Sequence, residues 1–212
     1  MILNVLRRLA LLLAALPVQA QDKAGDFDYY LLALSWSPAW CELTGDARGD
    51  PQCDPGRGFT FTAHGLWPQY EEGYPQDCFT TQADPSRADT AAMADIMGGA
   101  GLAFYEWKKH GRCTGLSARA YFAALREARQ SISIPPLFKL ITQDVTLDAS
   151  IIEEAFLDSN PRLRANGLTT TCKQGLIQEV RICLTRDLAP RACAPDVARD
   201  CSLTDAVLEA VR

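Results

Sequence analysis

Histidine is nearly absent from this chain of 212 residues: His64 and His110 are the only two. Neither has a second histidine at ligand spacing, and no cysteine pair has C-x-x-C spacing, so a zinc centre is not expected. After the first twenty residues no apolar run approaches the roughly 20 residues that a bilayer-spanning helix needs. No N-x-S/T acceptor follows residue 20, so N-glycosylation is not expected there. Internal repeats, low-complexity tracts and linkers are missing, and the composition excludes wholesale disorder, collagen and coiled coil. Positive charge is also in deficit, with Lys+Arg 21 against Asp+Glu 26 and a formal net charge of -5. An acidic chain does not attract polyanions from a distance, so a nucleic-acid partner would need a local basic patch.

What is present begins with a leader. Arg7 and Arg8 precede the short apolar run Leu9 to Leu16, and Val18-Gln19-Ala20 supplies small residues at cleavage spacing. This is the pattern of a secretory signal peptide over residues 1–20. Its removal takes away both arginines and no acid, which moves the net charge from -5 to -7. Residues 21–212 are the length of one domain. Export gives the eight cysteines a meaning: Cys41, Cys53, Cys78, Cys113, Cys172, Cys183, Cys193 and Cys201 all follow the leader, and an even number in an oxidising compartment implies four disulfides. Spacing alone leaves every connectivity open.

Phe27 to Trp36 reads as a buried central strand. Asp46 to Gly58 is a loop rich in Gly, Pro and Asp. Helices are expected over Ala88 to Met97, over Leu102 to His110 with Gly111 as C-cap, over Ala118 to Arg129 with Tyr121, Phe122 and Leu125 on one face, and over Leu147 to Leu157. Leu168 to Cys172 and Leu176 to Leu184 read as paired strands around Lys173-Gln174-Gly175. Strands and helices without βαβ regularity predict an α+β fold with a central antiparallel sheet flanked by helices.

The two histidines carry the chemical argument. An imidazole titrates near working pH, and two can divide one proton transfer between a base and an acid. His64 lies in Phe-Thr-Ala-His-Gly-Leu-Trp-Pro, and His110 closes Glu106-Trp107-Lys108-Lys109-His110. On a helix Glu106, Lys109 and His110 share a face, which presents a carboxylate, an ammonium and an imidazole together. Lys109 could neutralise developing negative charge. Lys108, Lys109 and Arg112 form the tightest basic cluster, and Trp67 offers a flat face to a base. The competing readings are a solvated ion-pair face and a packed core tryptophan.

The segments FTAHGLWPQ and YEWKKHGRC together resemble the two active-site segments of the ribonuclease T(2) family, secreted or periplasmic endoribonucleases. Phe27 through Cys41 and the stretch Gly167 to Cys183 resemble its opening strand and late hairpin. The resemblance implies cleavage of single-stranded RNA by attack of the 2′-hydroxyl on phosphorus, without a metal or other cofactor, leaving a 2′,3′-cyclic phosphate and a free 5′-hydroxyl. DNA lacks the nucleophile. By the same resemblance His64 protonates the leaving oxygen, His110 takes the 2′-hydroxyl proton, and Glu106 and Lys109 stabilise the pentacoordinate phosphorus. Trp67 and Tyr74 fall where one base is stacked, and Ser35 and Leu102 where a second base is contacted, with weak base preference expected.

One position departs from the family. Tyr105 stands where the family usually has a third histidine, and Arg112, where threonine is common, is the expected replacement for its charge. The resemblance also pairs Cys41 with Cys53, Cys78 with Cys113, Cys172 with Cys201, and Cys183 with Cys193. It implies a monomer that is secreted or periplasmic, with no membrane contact once the leader is gone. The rival readings are a catalytically inactive relative that binds RNA or a protein partner, a nuclease dedicated to a specific partner, and a disulfide-stapled structural protein.

Overall fold

The computed structural model describes residues 22–212, so the expected leader lies outside the described residues. Six strands form one sheet: β1 (Tyr29–Trp36), β2 (Phe61–Gln69), β3 (Val145–Leu147), β4 (Leu168–Lys173), β5 (Leu176–Leu184) and β6 (Ala206–Leu208). Their order is β2-β1-β5-β6-β3, with β4 also paired to β5. Every pairing is antiparallel except the single contact Leu176 to Val207, which makes the sheet mixed rather than purely antiparallel.

All eight residues of β1 are buried, as its unbroken apolar run predicts for a strand covered on both faces. Alternation then divides the two faces. Tyr30, Leu32, Leu34 and Trp36 enter the main core with Trp107, Tyr121, Leu125, Phe138 and Phe156. Leu31, Ala33 and Ser35 point the other way. Leu31 joins Tyr29, Cys183, Ala194 and Val197 in a small second cluster, which leaves Ala33 and Ser35 as floor. The sequence pattern does not predict β2, because Gly65 and Pro68 punctuate its apolar run. It holds nine residues and carries the whole first histidine segment. Its register with β1 slips by one: Gly65 faces Ala33 and Ala63 faces Leu34, so His64 is the extra residue of a β-bulge. Bulges re-aim a side chain at a sheet edge, and this one belongs to His64.

The expected helix over Ala88 to Met97 is two short pieces, Arg87–Ala91 and Ala94–Met97. The first is opened by a capping box between Ser86 and Asp89. The helix Ala100–Lys109 buries Ala103, Glu106 and Trp107 and ends at His110. Gly111 is not its left-handed cap. The chain tightens into a 3-10 turn, Gly111–Thr114, and the left-handed residue is Gly115, at φ 75°. Gly111 is small for another reason, since a Cβ there would press into the rings of Trp107 and Tyr121. The helix Ala118–Gln130 buries Tyr121, Phe122 and Leu125 as its amphipathic pattern requires. The helix expected over Leu147 to Leu157 begins later, as Ser150–Ser159, because Val145–Leu147 is the edge strand β3. The β4–β5 hairpin turns on Gln174 and Gly175, both at positive φ.

All four disulfides form as the family resemblance pairs them: Cys41–Cys53, Cys78–Cys113, Cys172–Cys201 and Cys183–Cys193. The second ties the 3-10 turn after His110 to the loop after β2, where the Asp77 amide donates to the Lys109 carbonyl at 2.8 Å. The last anchors the loop that covers Leu31 and Tyr29. Among the described residues no helix is long and apolar enough to cross a membrane.

Candidate active site

The outer face of β1, the bulge of β2 and the end of the helix Ala100–Lys109 converge on one cavity of about 430 Å³. His64, Trp67, Tyr74, Tyr105, Glu106, Lys109 and His110 all line it, so the two histidine segments, some 40 residues apart, meet. Arg181, Gln69 and Asp196 complete its polar wall.

His64 is gripped from below. Its Nδ1 donates to Glu179 Oε1 at 2.5 Å, and Ser35 Oγ donates to the same oxygen at 3.0 Å. Its Nε2 lies 3.6 Å from Glu106 Oε1 on the cavity side. Burial works against a charged imidazole here and is the largest single influence. The hydrogen bond and charge of Glu179, with the charge of Glu106 added, outweigh it, so the His64 pKa lies above the usual value. Glu179 is 1% exposed. Burial alone would raise its pKa, but His64 and then Arg181 hold it ionised, down to about 2.

His110 meets the opposite environment. Burial, then the positive charges of Lys109 and His64, push its pKa down to about 3. Its Nδ1 is buried and has no hydrogen-bond partner among the described residues. Among the described residues no carboxylate supports it as Glu179 supports His64. The indole of Trp67 stacks on its ring, with centroids 5.1 Å apart and planes at 30°. One cavity therefore holds one imidazole biased toward the cation and one biased toward the neutral base.

Glu106 faces His64 and lies one helical turn before His110. Burial raises its pKa against the opposing charges of His64 and Lys109 and the hydrogen bond from Trp67. That bond, Trp67 Nε1 to Glu106 Oε2, is 2.6 Å long. Gly65 makes it possible: a Cβ at Gly65 would collide with both Glu106 Oε2 and Trp67 Nε1. Trp67 is thus held edge-on by Glu106 and covered by His110, rather than free as an open stacking surface. Tyr74, 48% exposed, is the freer ring, tilted over His110 at 6.0 Å.

Arg112, Ser35 and Leu102 stand elsewhere. Arg112 does not reach the cavity: its Nη2 donates to Asp84 Oδ1 at 2.7 Å, and Lys108 lies 3.4 Å from the other oxygen of the same carboxylate. Asp84 also accepts from Trp107 Nε1. A carboxylate 28 residues away in sequence consumes the basic cluster, leaving Lys109 as its one member in the cavity. Ser35 is committed to Glu179, and with Leu102 it lines a cleft behind His64 of about 20 Å³, too small for a base. Glu179 and Arg181, which the sequence does not single out, join the candidate site through contact with His64 and the cavity. The hairpin was legible, but its alternation does not say which side chains cross β1 toward β2.

Among the described residues no group of three or more His, Cys, Asp or Glu is arranged to hold a metal ion.

Comparison with known proteins identifies the family and the fold. The model of the Ribonuclease T2 family matches residues 27–193. A ribonuclease of Aeromonas hydrophila is 41% identical over 118 residues, covering 56% of this chain and 52% of that protein. Ribonuclease I of Escherichia coli is 24% identical over 220 residues, covering 82% of this chain and 80% of its own. Against the bacterial relative of higher identity the match spans about half of that protein's length. Among solved structures, the RNase-related protein from Calystegia sepium superposes with a TM-score of 0.66 at 20% identity, covering 88% of this chain and 98% of that one. RNase NT, solved in complex with 5′-AMP, superposes at 0.61 and 20% identity, covering 87% and 98%. With the family model spanning most of the chain and the same fold in solved relatives, this chain belongs to the ribonuclease T2 family.

Proposed function

We propose that the chain is an endoribonuclease that cleaves single-stranded RNA by transphosphorylation, with His110 as general base and His64 as general acid. The observation that carries this reading is the opposite bias of two imidazoles in one cavity. A base must be neutral before the step and an acid must be charged, and efficient proton transfer needs each in the correct form at the operating pH. Neutral His110 takes the proton of the ribose 2′-hydroxyl. The 2′-oxygen attacks phosphorus, the bond to the 5′-oxygen breaks, and His64 gives that oxygen its proton. The products are a 2′,3′-cyclic phosphate and a 5′-hydroxyl, with the histidines left in exchanged protonation states.

Lys109, which has no carboxylate within ion-pair distance among the described residues, neutralises the charge that builds on the phosphoryl oxygens. Glu106 keeps Trp67 and the His64 Nε2 in place and faces the same centre. Base contact falls mainly to Tyr74, the freer ring, which favours stacking over edge readout and so weak base preference. The four disulfides fit an oxidising compartment, periplasmic or extracellular.

The test uses oxidised protein, single-stranded RNA and the matching DNA, with products identified by mass spectrometry. His64→Ala and His110→Ala run beside the parent. Fragments bearing 2′,3′-cyclic phosphate, lost with either variant and never formed from DNA, support the reading. RNA left intact by the parent from acid to neutral pH would overturn it in favour of an inactive RNA- or protein-binding relative.

A further inference from the structure

Arg181 lines the same cavity as the two histidines, yet no step of the proposed reaction uses it. Its placement is built rather than incidental. In the sheet Arg181 faces Ala33, and Ala33 faces Gly65 on its other side. Paired residues share a face, so the row Gly65–Ala33–Arg181 has nothing larger than a methyl group beside the arginine. The long side chain crosses that low floor and brings its guanidinium to 5.6 Å from the centre of the Trp67 ring. Trp67 stacks in turn on His110.

The guanidinium is only partly spent. Nε donates to Glu179 Oε2 at 3.0 Å, and Nη2 lies 2.9 Å from the same oxygen. Arginine carries five N–H donors in a rigid fork, and the two used here leave Nη1 without a hydrogen-bond partner among the described residues. The side chain is 31% exposed, while Glu179 beneath it is almost wholly buried. Glu179 is itself shared: Oε1 serves His64 and Ser35, and Oε2 serves Arg181. One buried anion thus holds two cations, and the partly exposed guanidinium faces a cavity whose wall also carries Lys109, Glu106 and Asp196. On a chain that is acidic overall, such a cation is what a phosphodiester needs. A planar fork with unused donors suits phosphate oxygens better than an ammonium does.

We propose that Arg181 is a phosphate-binding residue of this cavity, and that Glu179 positions it together with His64. This deepens the ribonuclease reading and rests on it. Arg181 with Lys109 grips the phosphoryl oxygens from two sides, and it takes the part that Arg112 cannot, since Arg112 is held on Asp84. The ligand class is a phosphate mono- or diester joined to a nucleoside.

Arg181→Gln and Arg181→Lys test it, with the parent cleaving RNA in the same assay. The readouts are KM and kcat on a dinucleoside phosphate, and the inhibition constant of a 3′-nucleoside monophosphate. The expected result for Arg181→Gln is inhibition by the monophosphate weakened about tenfold, with unphosphorylated nucleoside inhibiting as before. Arg181→Lys recovers part of that loss, because it returns the charge without the fork. A purely structural arginine would instead lower thermal stability and affect nucleoside and nucleotide alike. Equal inhibition of parent and Arg181→Gln by the monophosphate overturns the proposal while the parent still cleaves. A parent that does not cleave RNA overturns the ribonuclease reading itself, whatever the inhibitor does.

Discussion

At the scale of the residue, Glu179 governs the charge of His64. Its carboxylate is the group that lifts the His64 pKa against burial, and Glu179→Gln removes both the ion pair and the hydrogen bond to a charged acceptor. The sign follows: with the folded pKa lowered, His64 loses its proton at lower pH, so the basic limb of the kcat/KM profile moves down. Each unit of displacement is about 1.4 kcal/mol, or a factor of about ten in the charged fraction once pH exceeds the pKa. We expect kcat/KM at pH 7 to fall at least about tenfold and to be partly recovered near pH 5. A basic limb that stays in place in a pH-rate series would remove Glu179 from the mechanism. Gly65→Ala should also cost activity, by about tenfold or more, because the new Cβ forces Trp67 off Glu106. A kinetic comparison at matched folded fraction checks it, and an unchanged kcat would mean the indole bond is dispensable.

The same scale shows what the sequence could convey. His64, His110, Glu106 and Lys109 are legible as candidates because two short segments hold them, and the fold brings all four to one cavity. Arg112 lies away from the cavity, and local clustering in the sequence does not reveal that Asp84 lies against it. Glu179 and Arg181 depend on register, since they become site residues only when β5 pairs with β1 and β1 with β2.

At the scale of the element, the bulge and the clamp matter most. β1 was readable as an unbroken apolar run, and the β4–β5 hairpin from its turn residues. β2 was not, because Gly65 and Pro68 lower its strand signal while serving the site. The helix that carries Glu106 and Lys109 ends in a 3-10 turn rather than a glycine cap, and Cys113 in that turn is bonded to Cys78. Removing both with Cys78→Ala/Cys113→Ala should cost about 2–5 kcal/mol, the typical worth of a native bridge in a secreted domain. Urea unfolding measures that loss. We also expect kcat to fall in the absence of urea, because His110 directly precedes the turn. Loss of stability with unaltered kcat would show that the helix end holds its geometry without the bridge.

At the scale of the whole molecule, buried titratable groups shape the response to pH. Glu209 lies just beyond β6, its main-chain carbonyl accepting from Trp36 Nε1 at 3.2 Å. Both its carboxylate oxygens are buried without a hydrogen-bond partner among the described residues. Burial, then the charges of Glu42 and Asp144, push its pKa up to about 7. A carboxyl raised on folding binds its proton more tightly in the native state. It therefore subtracts stability progressively as pH rises from its unfolded value through about 7. Glu209→Gln should stabilise the protein by about 1–3 kcal/mol at pH 8 and by almost nothing at pH 4. Equal effects at both values, in denaturant titrations, would contradict this. His110 acts in the other direction. With its folded pKa near 3, the unfolded chain binds the extra proton between the ordinary histidine value and 3, so stability falls as pH drops through that window. The acid limb of activity attributable to the base should accordingly lie well below pH 6.

Opposite protonation of the two imidazoles is directly measurable, because the chain holds only two histidines. Two-dimensional NMR of the ring carbons and nitrogens, followed from pH 3 to 9, gives two titrations, assigned by His64→Gln. The His64 ring should be cationic at pH 6.5 and lose its proton above that value, while the His110 ring should be neutral at pH 6.5 and take up a proton only in strong acid. His110 titrating at or above His64 would contradict the assignment of base and acid.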